Sequence, residues 1–303
     1  MKYIVGITAS QSKSQNLINN SYIKAFTTDK TTPLIIPNLF ENDNEIISKE
    51  EQDKTQTHIM KIVKACDALV LTGGVDLSPT LINEKVTEAE GFSQSRDIFE
   101  RELVKFFLVE GKPILGICRG FQLLGNQLNL NHFQQDLALT NEEHDANRLG
   151  ITTRKEPIHN VHIFGKFKEW LKEKKYNLAE NGKMRTNSWH HQGFTLLPKG
   201  ERVLNKEIED FVTETKEFKE YTDKQNVKQV KQDALNNFGK VEIIMATNCV
   251  IEGFQHKTLP IVAFQYHPEE YNESPAINYF LEQFVIKIAE TKEKEAKEKA
   301  PIL

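Results

Sequence analysis

Pro113-Ile114-Leu115-Gly116-Ile117-Cys118-Arg119-Gly120-Phe121-Gln122 is the stretch that decides the fold. Ile114 to Ile117 is an apolar run of strand length, and the spacing from Phe121 to Leu128 predicts a helix directly after it. A cysteine at such a sharp strand-to-helix turn stands above the sheet with its sulfur exposed. It also sits at a helix N-terminus, where the macrodipole favours thiolate over thiol. Flanking glycines let the backbone turn without side-chain clashes. The pattern is a thiol version of the nucleophile elbow. The plain alternative is a core cysteine buried after a parallel strand.

A thiolate nucleophile needs a base, and the base needs a third group to fix its tautomer and stabilise the imidazolium. Ile261 to Tyr266 reads as another buried strand, followed by His267-Pro268-Glu269. In an extended segment, positions two apart point the same way, so His267 and Glu269 can share a side. Pro268 denies the helical region to His267. A third strand, Ala68–Leu71, leads into Thr72-Gly73-Gly74-Val75-Asp76. Acyl transfer through a thiolate creates an oxyanion that preorganised N–H donors stabilise, and the amides of Gly74 and Arg119 are the candidates.

The rest of the chain alternates in the same way. Ile4–Thr8 and Leu34–Pro37 read as strands; Asn19–Thr28, Thr55–Ala65 and Asp97–Val109 read as helices. This order predicts an α/β fold of flavodoxin-like architecture: a mostly parallel sheet with helices on both faces. Ligands of such sheets bind beyond the carboxyl ends of strands. Gly73-Gly74, Cys118 and His267 all fall at such ends.

These segments carry a resemblance. Leu71–Asp76, Arg96-Asp97 with Glu100, Gly116–Gln122, Asn187-Ser188-Trp189-His190-His191-Gln192 and Phe264–Glu269 resemble, in order and spacing, the class I glutamine amidotransferases. Within that group they look like the gamma-glutamyl-gamma-aminobutyrate hydrolase family, peptidase C26. The resemblance implies a single domain over residues 1–290 with an antiparallel extension over the active-site side. It implies Cys118 as nucleophile, His267 as base and Glu269 as its orienter. Gly73, Gln122, Ser188, His190 and His191 would line a bound gamma-glutamyl group. The implied reaction is hydrolysis of a small gamma-glutamyl amide through a thioester, with no metal or organic cofactor. Three rivals stand beside it: a glutaminase subunit feeding ammonia to a separate synthetase, a catalytically silent gamma-glutamyl-binding protein, and an α/β-hydrolase with a cysteine elbow. In the last, the acid usually precedes the histidine in the chain, whereas Glu269 follows His267.

The chain departs from the family in two places. Leu130-Asn131-His132-Phe133 stands where Gly-Gly-Thr-Leu is usual, and leucine does not tolerate positive φ as glycine does, so the turn must differ. Asn248-Cys249-Val250 replaces the usual Asp-Gly hairpin.

Composition narrows the remaining classes. A net charge of −4 over 303 residues gives no reason to expect nucleic acid or an anionic membrane as partner. The opening Met1–Thr8 reads as a strand and not as a signal peptide. Three scattered cysteines, Cys66, Cys118 and Cys249, are too few for a disulfide framework, which predicts a reducing, cytoplasmic setting. Residues 140–200 should form loops and short strands over the active-site side. Their histidines, His144, His159, His162, His190 and His191, match no common zinc spacing, and substrate contact is the expected role. Residues 205–240 form a charged, amphipathic helical insertion: a solvated excursion, or a lid or homodimer contact. Residues 291–303 form a charged tail that should continue the last helix and fray.

Overall fold

A computed structural model describes residues 2–12, 15–40, 49–82, 85–130, 132–137, 144–178, 182–196, 241–247 and 249–298. The charged segment 205–240 lies outside the described residues, as do Asn131 and Asn248.

The centre is a nine-stranded sheet. Its strands are β1 (Tyr3–Thr8), β2 (Thr31–Ile36), β3 (Ala68–Leu71), β4 (Ile114–Ile117), β5 (His159–Ile163), β6 (Lys183–Thr186), β7 (Val241–Thr247), β8 (Val250–His256) and β9 (Ile261–Phe264). They lie in the order β2-β1-β3-β4-β9-β8-β7-β5-β6. The first five are parallel, with Leu69 opposite Ile114 and Ala263 opposite Gly116. The other four continue the same sheet as antiparallel neighbours.

The apolar runs of the parallel half are explained by burial on both faces. Leu69, Leu71, Ile114, Ile261 and Ala263 point into one core. There they meet Phe99, Leu103 and Phe107 of α3 (Gln94–Val109) and Phe121 and Leu124 of α4 (Arg119–Gln127). The alternate residues Ala68, Val70, Leu115, Ile117, Val262 and Phe264 enter a second core with Tyr22 and Phe26 of α1 (Asn20–Phe26). Phe167 and Trp170 of α5 (Gly165–Glu173) complete that second face.

Helix ends fall a few residues from their expected positions, for local reasons. α3 starts at Gln94 and not Asp97, because the Ser93 side chain accepts a hydrogen bond from the Arg96 amide and caps the helix. α2 (Lys49–Ala65) begins before Thr55. The final helix runs through Pro275–Phe280, a π-helical stretch Leu281–Ile286 and Lys287–Glu298. At the altered turn, positive φ falls on Asn129 and His132, on either side of Leu130. Leu130 itself is buried in the apolar core with Phe133 and Phe194. No helix among the described residues is long and apolar enough to cross a membrane.

Candidate active site

The elbow forms where β4 meets α4. Cys118 holds φ 51° and ψ −105°, a sparsely populated conformation for a residue with a side chain, costing about 1–3 kcal/mol. The neighbouring sheet fixes it: the Cys118 amide donates to the Phe264 carbonyl (2.9 Å), and the Gln122 amide donates to the Cys118 carbonyl (3.1 Å). Gly116 and Gly120 are required by close approach. A Cβ on Gly116 would lie 2.6 Å from the Gly120 carbonyl oxygen, and one on Gly120 would lie 2.3 Å from that of Leu71. α4 starts at Arg119, directly after the cysteine, two residues earlier than its apolar spacing suggests. The thiol is not openly exposed as expected; Cys118 is 4% accessible.

His267 and Glu269 come together by a different route from the one expected. Pro268–Glu270 is a single 3-10 turn, not an extended segment. His267 keeps a non-helical φ of −101° and ψ of 82° before the proline, and the turn swings the Glu269 carboxylate back to 2.7 Å from His267 Nδ1. Burial alone would lower the His267 pKa. The Glu269 and Cys118 charges, with hydrogen bonds to both, more than offset it and push it up to about 10. Gly73 packs on the same spot: a Cβ there would stand 2.7 Å from His267 Cε1 and 3.5 Å from Cys118 Cβ.

Two residues with no role assigned from sequence hold this pair. The Asn187 side chain donates to the His267 carbonyl (3.0 Å) and accepts from the His267 amide (2.9 Å), a two-point clamp on its backbone. The Tyr22 hydroxyl accepts from the Gly73 amide (2.9 Å). Burial and then Glu269 raise its pKa well above the usual phenol value, so it stays protonated beside that carboxylate. Tyr22 reads from sequence as an ordinary apolar-face residue of α1; its chemistry depends on tertiary contact.

Beneath Gly73-Gly74 lies a buried ionic network. Arg96 donates to Glu100 (2.9 Å), to the Thr72 hydroxyl (2.9 Å) and to the Thr72 and Gly73 carbonyls (both 3.1 Å). Arg119 bridges Asp97 and Glu100. Burial pushes the Asp97 pKa up to about 6 against the pull of Arg119. For Glu100, burial is outweighed by two guanidinium groups and the pKa falls. A Cβ on Gly74 would strike Arg96 Nη1 at 2.3 Å, so only glycine fits there. The Arg119 side chain thus points down into the network. Its amide and that of Gly74 donate no hydrogen bond among the described residues.

The other expected site residues separate into two groups. Gln122 donates to the Gln192 carbonyl (2.9 Å) and to the Gln265 side chain (3.4 Å), linking α4 to the 187–192 segment and to the residue that follows β9. His191 is part-buried with Nε2 at 2.9 Å from the Asp76 carboxylate, which raises its pKa. Ser188 and His190 face elsewhere. The Ser188 hydroxyl donates to the His144 carbonyl, and the His190 ring lies with His144 and Glu252. Burial lowers the His190 pKa to about 3 and that of His159 to about 4, although Glu252 pulls both upward. Glu252 is a carboxylate inside the buried strand β8, marked in the sequence only by its place in an apolar run.

Comparison with known proteins agrees with this architecture. The chain is 36% identical over 150 residues to the YvdE homologue of Lactococcus lactis subsp. cremoris, a glutamine amidotransferase-like protein. That match covers 49% of this chain and 73% of the relative. A shorter match, 35% identical over 65 residues, is to the gamma-glutamyl-CDP-amidate hydrolase of Campylobacter jejuni, covering 20% of this chain and 28% of that enzyme. The glutaminase domain of Trypanosoma brucei CTPS with bound acivicin aligns at a TM-score of 0.51 over 92% of each chain. At 11% identity, that is a likeness of fold. The sequence model of peptidase C26 matches residues 3–223, a span that holds the glycine loop, the cysteine elbow and the Asn187–Gln192 segment but ends before His267. With more than half its length matched in this way, the chain belongs to the peptidase C26 family.

Proposed function

We propose that the chain hydrolyses the amide bond of a small gamma-glutamyl compound through a Cys118 thioester. One observation carries this reading: Cys118, held at positive φ on a helix N-terminus, lies beside a buried His267 whose Nδ1 is 2.7 Å from Glu269. The raised pKa of His267 keeps its ring protonated at neutral pH, ready to give a proton to a leaving group.

In this reading the Cys118 thiolate attacks the gamma-carbonyl, and the negative charge moves to the carbonyl oxygen. The amides of Gly74 and Arg119, which have no acceptor among the described residues, donate to that oxygen. Losing one such donor would raise the barrier by roughly 2.7–4 kcal/mol. As the C–N bond breaks, His267 gives its proton to the leaving nitrogen, which departs as the amine. Neutral His267 then takes a proton from water as the water oxygen attacks the thioester carbonyl. The C–S bond breaks, releasing glutamate and restoring the thiolate and imidazolium. Glu269 orients the ring through Nδ1 and stabilises its charge. Gln122 and His191, with Gly73, lie along the gamma-glutamyl group, and Ser188 and His190 back the wall they form. The Campylobacter relative's name supports a gamma-glutamyl amide as the substrate class, and gamma-glutamyl-gamma-aminobutyrate is the first compound to test. A reactive thiolate suits a reducing, cytoplasmic setting.

The test is glutamate release from a panel of gamma-glutamyl amides, including gamma-glutamyl-gamma-aminobutyrate and glutamine. Hydrolysis that Cys118→Ala abolishes in a folded chain is the expected outcome. Turnover of glutamine alone would favour the ammonia-supplying reading. Turnover retained by Cys118→Ala would overturn the mechanism.

A further inference from the structure

The geometry points to a closed binding site for one divalent transition-metal ion of the zinc class, formed by His144, His159, His190 and Glu252. It is separate from the thiol chemistry proposed above. His144 Nδ1 lies 3.2 Å from Glu252 Oε1, His159 Nε2 lies 3.9 Å from the same oxygen, and His190 Nε2 lies 3.9 Å from Oε2. Ligand atoms of His144, His190 and Glu252 all fall within 4.8 Å of one another. Ligands of tetrahedral zinc stand roughly 3.3–3.5 Å apart, given metal–ligand bonds near 2.0–2.2 Å. Side-chain shifts of about 1 Å would bring the His144, His190 and Glu252 atoms to that spacing, and His159, which lies outside the 4.8 Å set, would turn further to complete it.

The tautomer of His190 is the sharpest clue. Its Nδ1 lies 2.9 Å from the Gln192 carbonyl oxygen, which can only accept, so Nδ1 carries the proton. In the neutral ring Nε2 is then a bare lone pair, and it faces the Glu252 carboxylate, which also only accepts. Two lone-pair donors facing each other in a buried space call for a cation between them. Glu252 is fully buried, and neither of its oxygens has a hydrogen-bond partner. Both ring nitrogens of buried His159 lack one as well. A backbone carbonyl that fixes the tautomer of a ligating histidine is the usual outer partner in zinc sites. Three imidazoles and one carboxylate suit zinc, and four protein ligands make a structural rather than a catalytic centre.

The ion would also brace the candidate active site. The Gln265 amide donates to the Glu252 carbonyl (2.8 Å), and the His190 amide donates to the His144 carbonyl (3.1 Å). The site thus ties the 187–192 segment to the strand that leads into His267.

The experiment uses the untagged full chain, stripped with chelator under mild denaturation and refolded with or without Zn2+. We expect about one bound zinc per chain, a higher melting temperature with zinc, and binding weaker by about 10- to 100-fold or more in Glu252→Gln. Cys118→Ala should bind zinc as the parent does. Co2+ loading decides the matter if Glu252→Gln fails to fold. Visible ligand-field bands without sulfur-to-metal charge transfer support the site, and charge transfer from a thiolate places the ion at Cys118. Refolded parent chain that takes up no zinc and melts at an unchanged temperature would overturn the proposal. So would zinc kept by Glu252→Gln and lost in Cys118→Ala.

Discussion

Two buried polar clusters flank the Cys118–His267 pair, and they are built on opposite principles. Under the glycine loop, Arg96 and Arg119 meet Asp97 and Glu100, so the charges balance within the protein. On the other side, three histidine rings stand around the single carboxylate of Glu252. The first cluster acts as scaffold, holding Gly73-Gly74 and the start of α4. The second gathers imidazoles around one carboxylate, the donor set of the metal site proposed above. Both clusters are buried, and the difference lies in whether the carboxylates meet guanidinium cations or imidazoles.

The comparison can be broken most severely at Arg119. Arg119→Met leaves Asp97 and Glu100 buried without their shared cation, and we expect a loss of about 3–5 kcal/mol in urea denaturation. A loss below about 1 kcal/mol would mean the network is not the scaffold described. An intermediate case is His267, paired but titratable. Its folded pKa is raised from 6.5 to about 10, so its contribution to stability is fully present below about pH 6.5 and is lost as pH rises toward 10. Denaturation midpoints measured across that window should fall, and should fall less in Glu269→Gln. The smallest effect belongs to Glu252. In metal-free protein its carboxylate has no fixed cation to lose, so Glu252→Gln should leave stability unchanged or raise it by about 1 kcal/mol. A loss as large as that of Arg119→Met would make the two clusters alike.

How much of this was legible in the sequence follows from how local each feature is. The parallel half was readable, because strands buried on both faces are continuous apolar runs and their ends carry Gly73-Gly74, Cys118 and His267. The pairing of His267 with Glu269 was readable too, though through a 3-10 turn and not an extended strand, since either geometry brings residues two apart within reach. Arg96, Asp97 and Glu100 stood out as a motif, but nothing local says that Arg119 closes the network from another helix. Tyr22 looked ordinary and Asn187 stood in a family segment without a role of its own, because what they do lies in contacts across 51 and 80 residues of chain. The histidine cluster was the least legible. Its members come from four separated segments joined by antiparallel pairing, so no sequence spacing could announce it. Its one signal was a glutamate within the apolar run Cys249-Val250-Ile251-Glu252-Gly253-Phe254. A charge in a strand buried along its whole length requires a partner.

In the proposed reaction Cys118 becomes acylated. Acid quenching during turnover of gamma-glutamyl-gamma-aminobutyrate, followed by mass spectrometry of the digested chain, tests it most directly. A glutamyl adduct is expected on the peptide that carries Cys118, formed with parent enzyme and absent in Cys118→Ala. Steady glutamate release by the parent enzyme with no adduct on that peptide, or with the adduct on another residue, would contradict it.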